Sequence, residues 1–251
     1  MNTCFILLWL EAPLQSWGFD SKFSRRDTLD FPTKSGVLGL VCCALGAGGE
    51  QRELLATMGR LKTTVMAFSR KAKKGDLSTK TPLLEDFHMV GAGYDKDDKQ
   101  FEHWMIPEKA EGGKATGAGG GVKLTYRYYL QDRVFAVALE VPLDLSQRFA
   151  EALQNPVWDL YLGRKNCAPV DFIYRGIFEI ETQAVAYATQ VANEKSLHLD
   201  FKVLDGKCEG EQLVLNDVPI QFGPQKIYVQ RYVTIIQGSA LNKSSTHDNE
   251  Q

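Results

Sequence analysis

The segment Tyr161-Leu162-Gly163-Arg164-Lys165-Asn166-Cys167-Ala168-Pro169 sets a tyrosine ring, two cations and an amide around one glycine. Rings stack on unpaired bases while Arg and Lys hold phosphates, which is how single-stranded RNA is gripped. A loop with solvated charges and a half-buried tyrosine stays open as the plainer reading. Tyr126-Arg127-Tyr128-Tyr129 carries similar chemistry, although alternation along a strand presents only one subset to a ligand. Pro32-Thr33-Lys34-Ser35-Gly36 opens a helix, where free N–H groups beside Lys34 and Ser35 make either an anion site or an ordinary cap with a solvated lysine.

Other chemistries fit less well. A nucleotide-hydrolysing phosphate loop needs glycine where Thr28 and Thr33 stand, and Lys114 fails the same test because of Glu108 and Ala115. Gly46-Ala47-Gly48 leaves a helix instead of following a strand, which argues against a dinucleotide fingerprint. The histidines are His88, His103, His198 and His247. None has a second histidine securely beside it to form an acid–base pair, and no G-x-S-x-G elbow occurs. No catalytic residue, metal ligand or cofactor is assigned.

A formal charge of −2 over 251 residues gives no general affinity for nucleic acid, so any such site must be local. From Arg60 to Lys80 there are seven basic residues to one acid, Asp76, and this is the strongest basic stretch. Cys4, Cys42, Cys43, Cys167 and Cys208 lack C-x-x-C spacing and read as reduced core residues of a cytoplasmic protein. The apolar run Cys4 to Leu10 is too short to span a membrane and reads as a buried strand.

The elements that must position these groups follow from periodicity. After the first strand, Val37, Leu38, Val41 and Leu45 recur at helical spacing. Gly36 and Gly39 weaken that helix unless another backbone packs against it. A short helix is expected over Glu50 to Gly59 and a strand over Leu61 to Phe68. Glu85 to Glu111 is acidic and leads into the glycine-rich Gly112 to Gly121, so a mobile excursion is expected there. Val134 to Val141 is a strand, Asp144 to Leu153 an amphipathic helix, and Ile177 to Tyr187, Leu197 to Leu204 and Ile227 to Ile236 are later strands. This order predicts an α+β fold: a ferredoxin-like, RNA-recognition-type βαββαβ unit with extra C-terminal strands.

Leu8 to Gly18, Phe31 to Gly46, Asp86-Phe87-His88, Tyr129 to Asp132, Phe135 to Leu139 and Tyr161 to Pro169 together resemble the CasD family of type I-E CRISPR Cascade subunits. That family lies within the repeat-associated RNA-binding superfamily. Two departures are Ala12, where the family carries glycine, and the Gly112 to Gly121 run. The resemblance implies a ferredoxin-like domain over 1–174 with a protruding β-hairpin thumb at about 83–129. Added strands over 175–240 and a frayed tail at 241–251 complete the chain. It also implies a non-catalytic, cytoplasmic subunit, one copy per complex, that caps the 5′ handle of the guide RNA (crRNA) beside the backbone and large subunits, without a membrane. The RNA-binding set is Gln15, Ser16 and Trp17, Arg25 and Arg26, Lys34 and Ser35, His88, Arg127, and Tyr161, Arg164, Lys165 and Asn166. The alternative is a metal-independent endoribonuclease that processes repeat RNA, for which His88 is the one histidine in a matching segment.

Overall fold

A computed structural model of the chain describes residues 2–19, 21, 24–70, 81–90 and 123–238. Strand β1 (Thr3–Gln15) lies inside a sheet, paired on both sides, and its residues Cys4 through Leu10 are all buried. An apolar run without alternation belongs in a strand covered on both faces, and that is its position. Three short strands follow, β2 (Trp17–Gly18), β3 (Arg25–Arg26) and β4 (Thr28–Leu29), then helices α1 (Lys34–Ala44) and α2 (Arg52–Met58). Next come β5 (Thr63–Arg70), β6 (Leu84–Val90), β7 (Lys123–Pro142), α3 (Leu143–Gln154) and β8 (Tyr174–Phe178). Helix α4 (Glu181–Glu194) and strands β9 (Leu197–Asp205), β10 (Glu211–Gln221) and β11 (Ile227–Gln237) complete the order.

The fold is mixed α/β, with a mostly antiparallel sheet and four helices among the described residues. The strands run β10-β11-β9-β5-β7-β1-β8, each antiparallel to its neighbour. Strand β7 has two parts. From Leu130 to Pro142 it pairs with β1 inside the sheet, and from Lys123 to Tyr129 it pairs with β6 to form an arm. Strand β3 joins the arm in parallel, with Arg25 opposite Tyr126 and Arg26 opposite Arg127. The rest of the excursion between Val90 and Lys123, the Lys71 to Lys80 part of the basic stretch, and the 241–251 tail lie outside the described residues.

Alternation along β1 assigns two cores. Ile6, Leu8 and Leu10 meet Val37, Leu38 and Val41 of α1 and Phe149 and Leu153 of α3, while Leu7 and Trp9 meet Ala188, Val191 and Ala192 of α4 on the other face. Each fully buried Leu or Phe contributes about 1.5–3 kcal/mol, so both helical layers hold the sheet strongly. Helix α4 corrects the expected strand over Ile177 to Tyr187, which ends at Phe178. Ala184, Ala188, Val191 and Ala192 recur at helical spacing and are buried, so covering the second face outweighs local strand preference. Strand β10 has no counterpart in the sequence reading, because Asn216, Asp217 and Pro219 interrupt its pattern. The structure accommodates them by register shifts after Leu215 and after Pro219.

Candidate nucleic-acid interface

Helix α1 begins with two of its first three amides partnered by side chains. The Gly36 amide donates to Thr33 Oγ1 at 3.1 Å, and the Lys34 amide donates to Asp217 Oδ2 at 2.7 Å. The first N–H of the helix, which would otherwise attract an anion, therefore already holds a carboxylate of the same chain. Lys34 is 2% exposed, and its Nζ donates to the Leu61 carbonyl and to Asp205. Burial draws the Lys34 pKa down, and Asp205 only partly restores it. Arg231 completes the cluster, donating through Nε and Nη2 to Asp217 at 2.7 Å each and through Nη1 to Asp205. Burial works against its charge, but the hydrogen bond and charge of Asp217, with Asp205, more than offset that.

The loop after β1 is equally committed to the fold. Gln15 donates to the carbonyls of Leu10 at 3.1 Å and Arg133 at 2.6 Å and accepts from Trp17 Nε1 at 3.2 Å. Trp17 is buried and packs its ring on Gly36, where a Cβ would come within 2.8 Å of that ring. Ser16 donates its hydroxyl to the Tyr128 carbonyl at 3.2 Å and its amide to the Leu162 carbonyl at 3.1 Å. The 161–169 loop docks on this strand through Gly163. With φ +104°, its absent Cβ would lie 1.8 Å from the Ser16 oxygen, so only glycine fits. Arg164 crosses from the loop to the arm, donating to the carbonyls of Tyr128 at 3.2 Å and Arg26 at 2.8 Å and lying 4.6 Å over the Tyr129 ring. Lys165 and Asn166 are exposed at the tip, and Tyr161 is half-buried with its hydroxyl 3.5 Å from Asp159.

These elements enclose a cleft of about 600 Å³ along one face of α1, with Ser35, Gly39 and Cys43 on its floor. Arg26, Arg164 and Lys226 line it, together with Trp158 and Tyr228, and no carboxylate lines it among the described residues. Burial, then the neighbouring Cys43, pushes the Cys42 thiol up to about 11, while burial, then Asp159, raises that of Cys43. Both are neutral at physiological pH, so the lining carries positive charge only.

Ser16, Trp17, Arg26, Ser35 and Arg164 therefore meet at one cleft. Of the sequence-based set, Gln15, Trp17 and Lys34 are buried and bonded within the fold, and Ser16 is 3% exposed. Arg25, Arg127 and His88 lie on the arm instead. Arg25 stacks 4.8 Å over Tyr128 and pairs with Asp27 at 2.9 Å, and His88 lies 3.6 Å from Asp86. Sequence reasoning missed Trp158, Lys226 and Tyr228. An exposed tryptophan after Pro156 is a readable signal, but Lys226 and Tyr228 come from the far end of the chain through the β10–β11 turn. Gly36 and Gly39 face a ring and open space, so no other backbone packs closely there to offset their cost to the helix.

A second polar cluster joins Ser69, His198, Asp200 and Arg133. His198 Nε2 lies 3.1 Å from Ser69 Oγ and 3.0 Å from Asp200 Oδ1, and Ser69 donates to Asp200 at 2.7 Å. Hydrolytic triads need the serine proton aimed at histidine, whereas this serine proton is held by the carboxylate. Among the described residues no group of three or more His, Cys, Asp or Glu side chains could hold a metal, and no helix is long and apolar enough to cross a membrane.

Comparison with known proteins gives one family model, described as CRISPR-associated protein (Cas_Cas5), matching residues 5–234. The CRISPR system Cascade subunit CasD of Escherichia coli (strain K12) is 26% identical over 239 residues, covering 90% of this chain and 95% of that protein. A solved chain described as a CRISPR RNA-guided surveillance complex superposes with a TM-score of 0.68 at 26% identity, covering 93% of this chain and 90% of its own. Another, described as the crystal structure of Cas protein, shares the fold with a TM-score of 0.54 at 24% identity, covering 93% and 94%.

Proposed function

The chain belongs to the CRISPR-associated protein family Cas_Cas5, and on that premise we propose that it is a non-catalytic subunit of a Cascade surveillance complex, binding and capping the 5′ handle of the guide RNA. The carrying observation is the cleft along α1, lined among the described residues by three cations and no carboxylate, in a protein of net charge −2. Such a local field attracts a polyanion without making the whole protein basic. The similarity to a Cascade subunit and to an RNA-guided surveillance complex supports guide RNA as that polyanion.

The strand order β8-β1-β7-β5, with α1 after β1 and α3 after β7, supports a ferredoxin-like unit, and the β6–β7 arm supports a thumb at its edge. In this reading Arg26, Lys226 and the exposed Lys165 and Asn166 meet phosphates. Ser35, Tyr161, Arg25, Arg127 and His88 flank the RNA path, and Arg164 holds loop and arm together. Gln15, Ser16, Trp17 and Lys34 support the cleft from behind. One copy joins the backbone and large subunits, in the cytoplasm. Sequence recognition of the target is left to guide pairing.

The test is expression with the neighbouring genes, followed by ultraviolet cross-linking and mapping of the joined peptides. We expect a uniform short RNA whose 5′ end cross-links to residues 24–28 and 161–166. Recovery of RNA that never joins this chain overturns handle binding. Site-specific cleavage of repeat RNA in chelator, lost in His88→Ala, establishes the ribonuclease instead.

A further inference from the structure

Gly39 sits in the interior of α1, where glycine costs about 1 kcal/mol relative to alanine. Gly36, one turn earlier, has a reason in the fold, because a Cβ there would strike the Trp17 ring. At Gly39 a Cβ would meet nothing within 4 Å, and the position opens into the cleft. Internal packing thus gives no reason for the glycine, whereas a flat ligand lying on the helix backbone does.

A second, separate feature faces the same space. Trp158 leaves 49% of its surface exposed, although its backbone is held firmly against α1. The Val157 amide donates to the Ala44 carbonyl at 2.9 Å, and Val157 fills the space beside Gly46, where φ is +67°. The Cys43 thiol reaches the carbonyls of Trp158 at 3.9 Å and Asp159 at 3.5 Å. A large ring fixed at its base and half exposed beside the cleft is a preorganised stacking surface. Arg26, Arg164 and Lys226 line the same cleft.

We propose that the α1 cleft is a subsite for one unstacked nucleobase of single-stranded RNA, stacked on Trp158 with its edge against the bare backbone at Gly39, while Arg26 and Lys226 hold the adjoining phosphates. This rests on the handle-binding reading and adds to it the part of the RNA that is held and the two residues that select it. The roughly 600 Å³ of space accommodates a base with its sugar.

The full chain is titrated with oligo(A) and oligo(C) ribonucleotide octamers while tryptophan fluorescence is followed. Quenching is expected in the native protein and absent in Trp158→Phe, which keeps a stacking ring and retains most of its affinity. Trp158→Ala should weaken binding about 5- to 150-fold, the span one stacked base covers, with an unchanged salt slope. Gly39→Leu should abolish quenching while leaving the melting temperature equal or higher, since leucine favours the helix and its Cβ would meet nothing within 4 Å. RNA binding that neither Trp158→Ala nor Gly39→Leu alters overturns the base subsite but leaves handle binding standing. Failure of the native chain to bind either octamer overturns both.

Discussion

Two groups of cations lie on opposite sides of the first turns of α1, and they are treated in opposite ways. On one side Lys34 and Arg231 are dehydrated and each faces Asp205 or Asp217. On the other, Arg26 and Lys226 are exposed beside a cleft that no described carboxylate lines. A buried pair adds little net stability over apolar packing, yet removing one member strands a charge without water. An unpaired surface cation costs the fold little and keeps its field for a ligand. The difference separates residues that shape the cleft from residues free to act in it, and charge type alone does not reveal it.

The strongest way to break this contrast is Asp217→Ala. It removes the acceptor of the Lys34 amide and of two Arg231 donors, leaving the guanidinium buried with only Asp205. Urea unfolding should show a loss of about 3–5 kcal/mol. A loss below 1 kcal/mol would mean that water reaches the cluster and that the two sides differ less than their burial indicates.

Next in size is Gly163→Ala, which tests how the loop is pinned to β1. The positive φ and the approach to the Ser16 carbonyl both oppose a side chain, and the strain should cost about 1–3 kcal/mol. Because Ser16 and Leu162 share a hydrogen bond here, amide exchange should quicken at Ser16 while the β9–β11 ladder stays unchanged. Uniform loss of protection would instead place Gly163 among residues on which the whole fold depends.

How much of this was legible in sequence depended on the range of each interaction. The apolar run Cys4 to Leu10 and the 3.6-residue pattern of Val37, Leu38 and Val41 are local, and both appear as a strand and a helix. Thr33 as N-cap is likewise local. The fate of Lys34 was not, since it is decided by Asp205 and Asp217, 171 and 183 residues away in the chain. Helix α4 was missed because Ile177, Phe178 and Ile180 favour a strand, whereas the small residues from Ala184 onward matter only against a sheet face. In the cleft, Arg164 and the Ser16 loop were visible as chemistry. Lys226 and Tyr228 carry no motif and enter through topology alone.

A smaller effect marks where the cleft wall becomes core. Cys42 lines the cleft but is 5% exposed, and burial lifts its thiol from 9.0 to about 11. Below pH 9 the thiol is protonated in both folded and unfolded chains, so its contribution is complete. As pH rises from 9 toward 11 the unfolded thiol ionises first, the unfolded state binds fewer protons, and stability falls. Cys42→Ala should cost about 1 kcal/mol at pH 7, and the gap from the native chain should narrow across that alkaline window. A constant gap would show that Cys42 is as hydrated as the rim.

The least effect on the fold, and the sharpest test of the contrast, is expected from Lys226→Ala. Lys226 is exposed and no carboxylate lines the cleft beside it among the described residues, so unfolding should shift by no more than about 0.5 kcal/mol. If it meets a phosphate, one fewer counterion is released on binding. The dependence of log affinity on log salt should then become shallower by roughly 0.7, the value for one contact to a single strand. Trp158→Ala, by contrast, lowers affinity without changing the slope, so the two variants separate charge from stacking in one cleft. A stability loss comparable to that of Asp217→Ala would place Lys226 with the buried cations. An unchanged salt slope would remove it from the RNA path and leave Arg26 as the exposed cation lining the cleft.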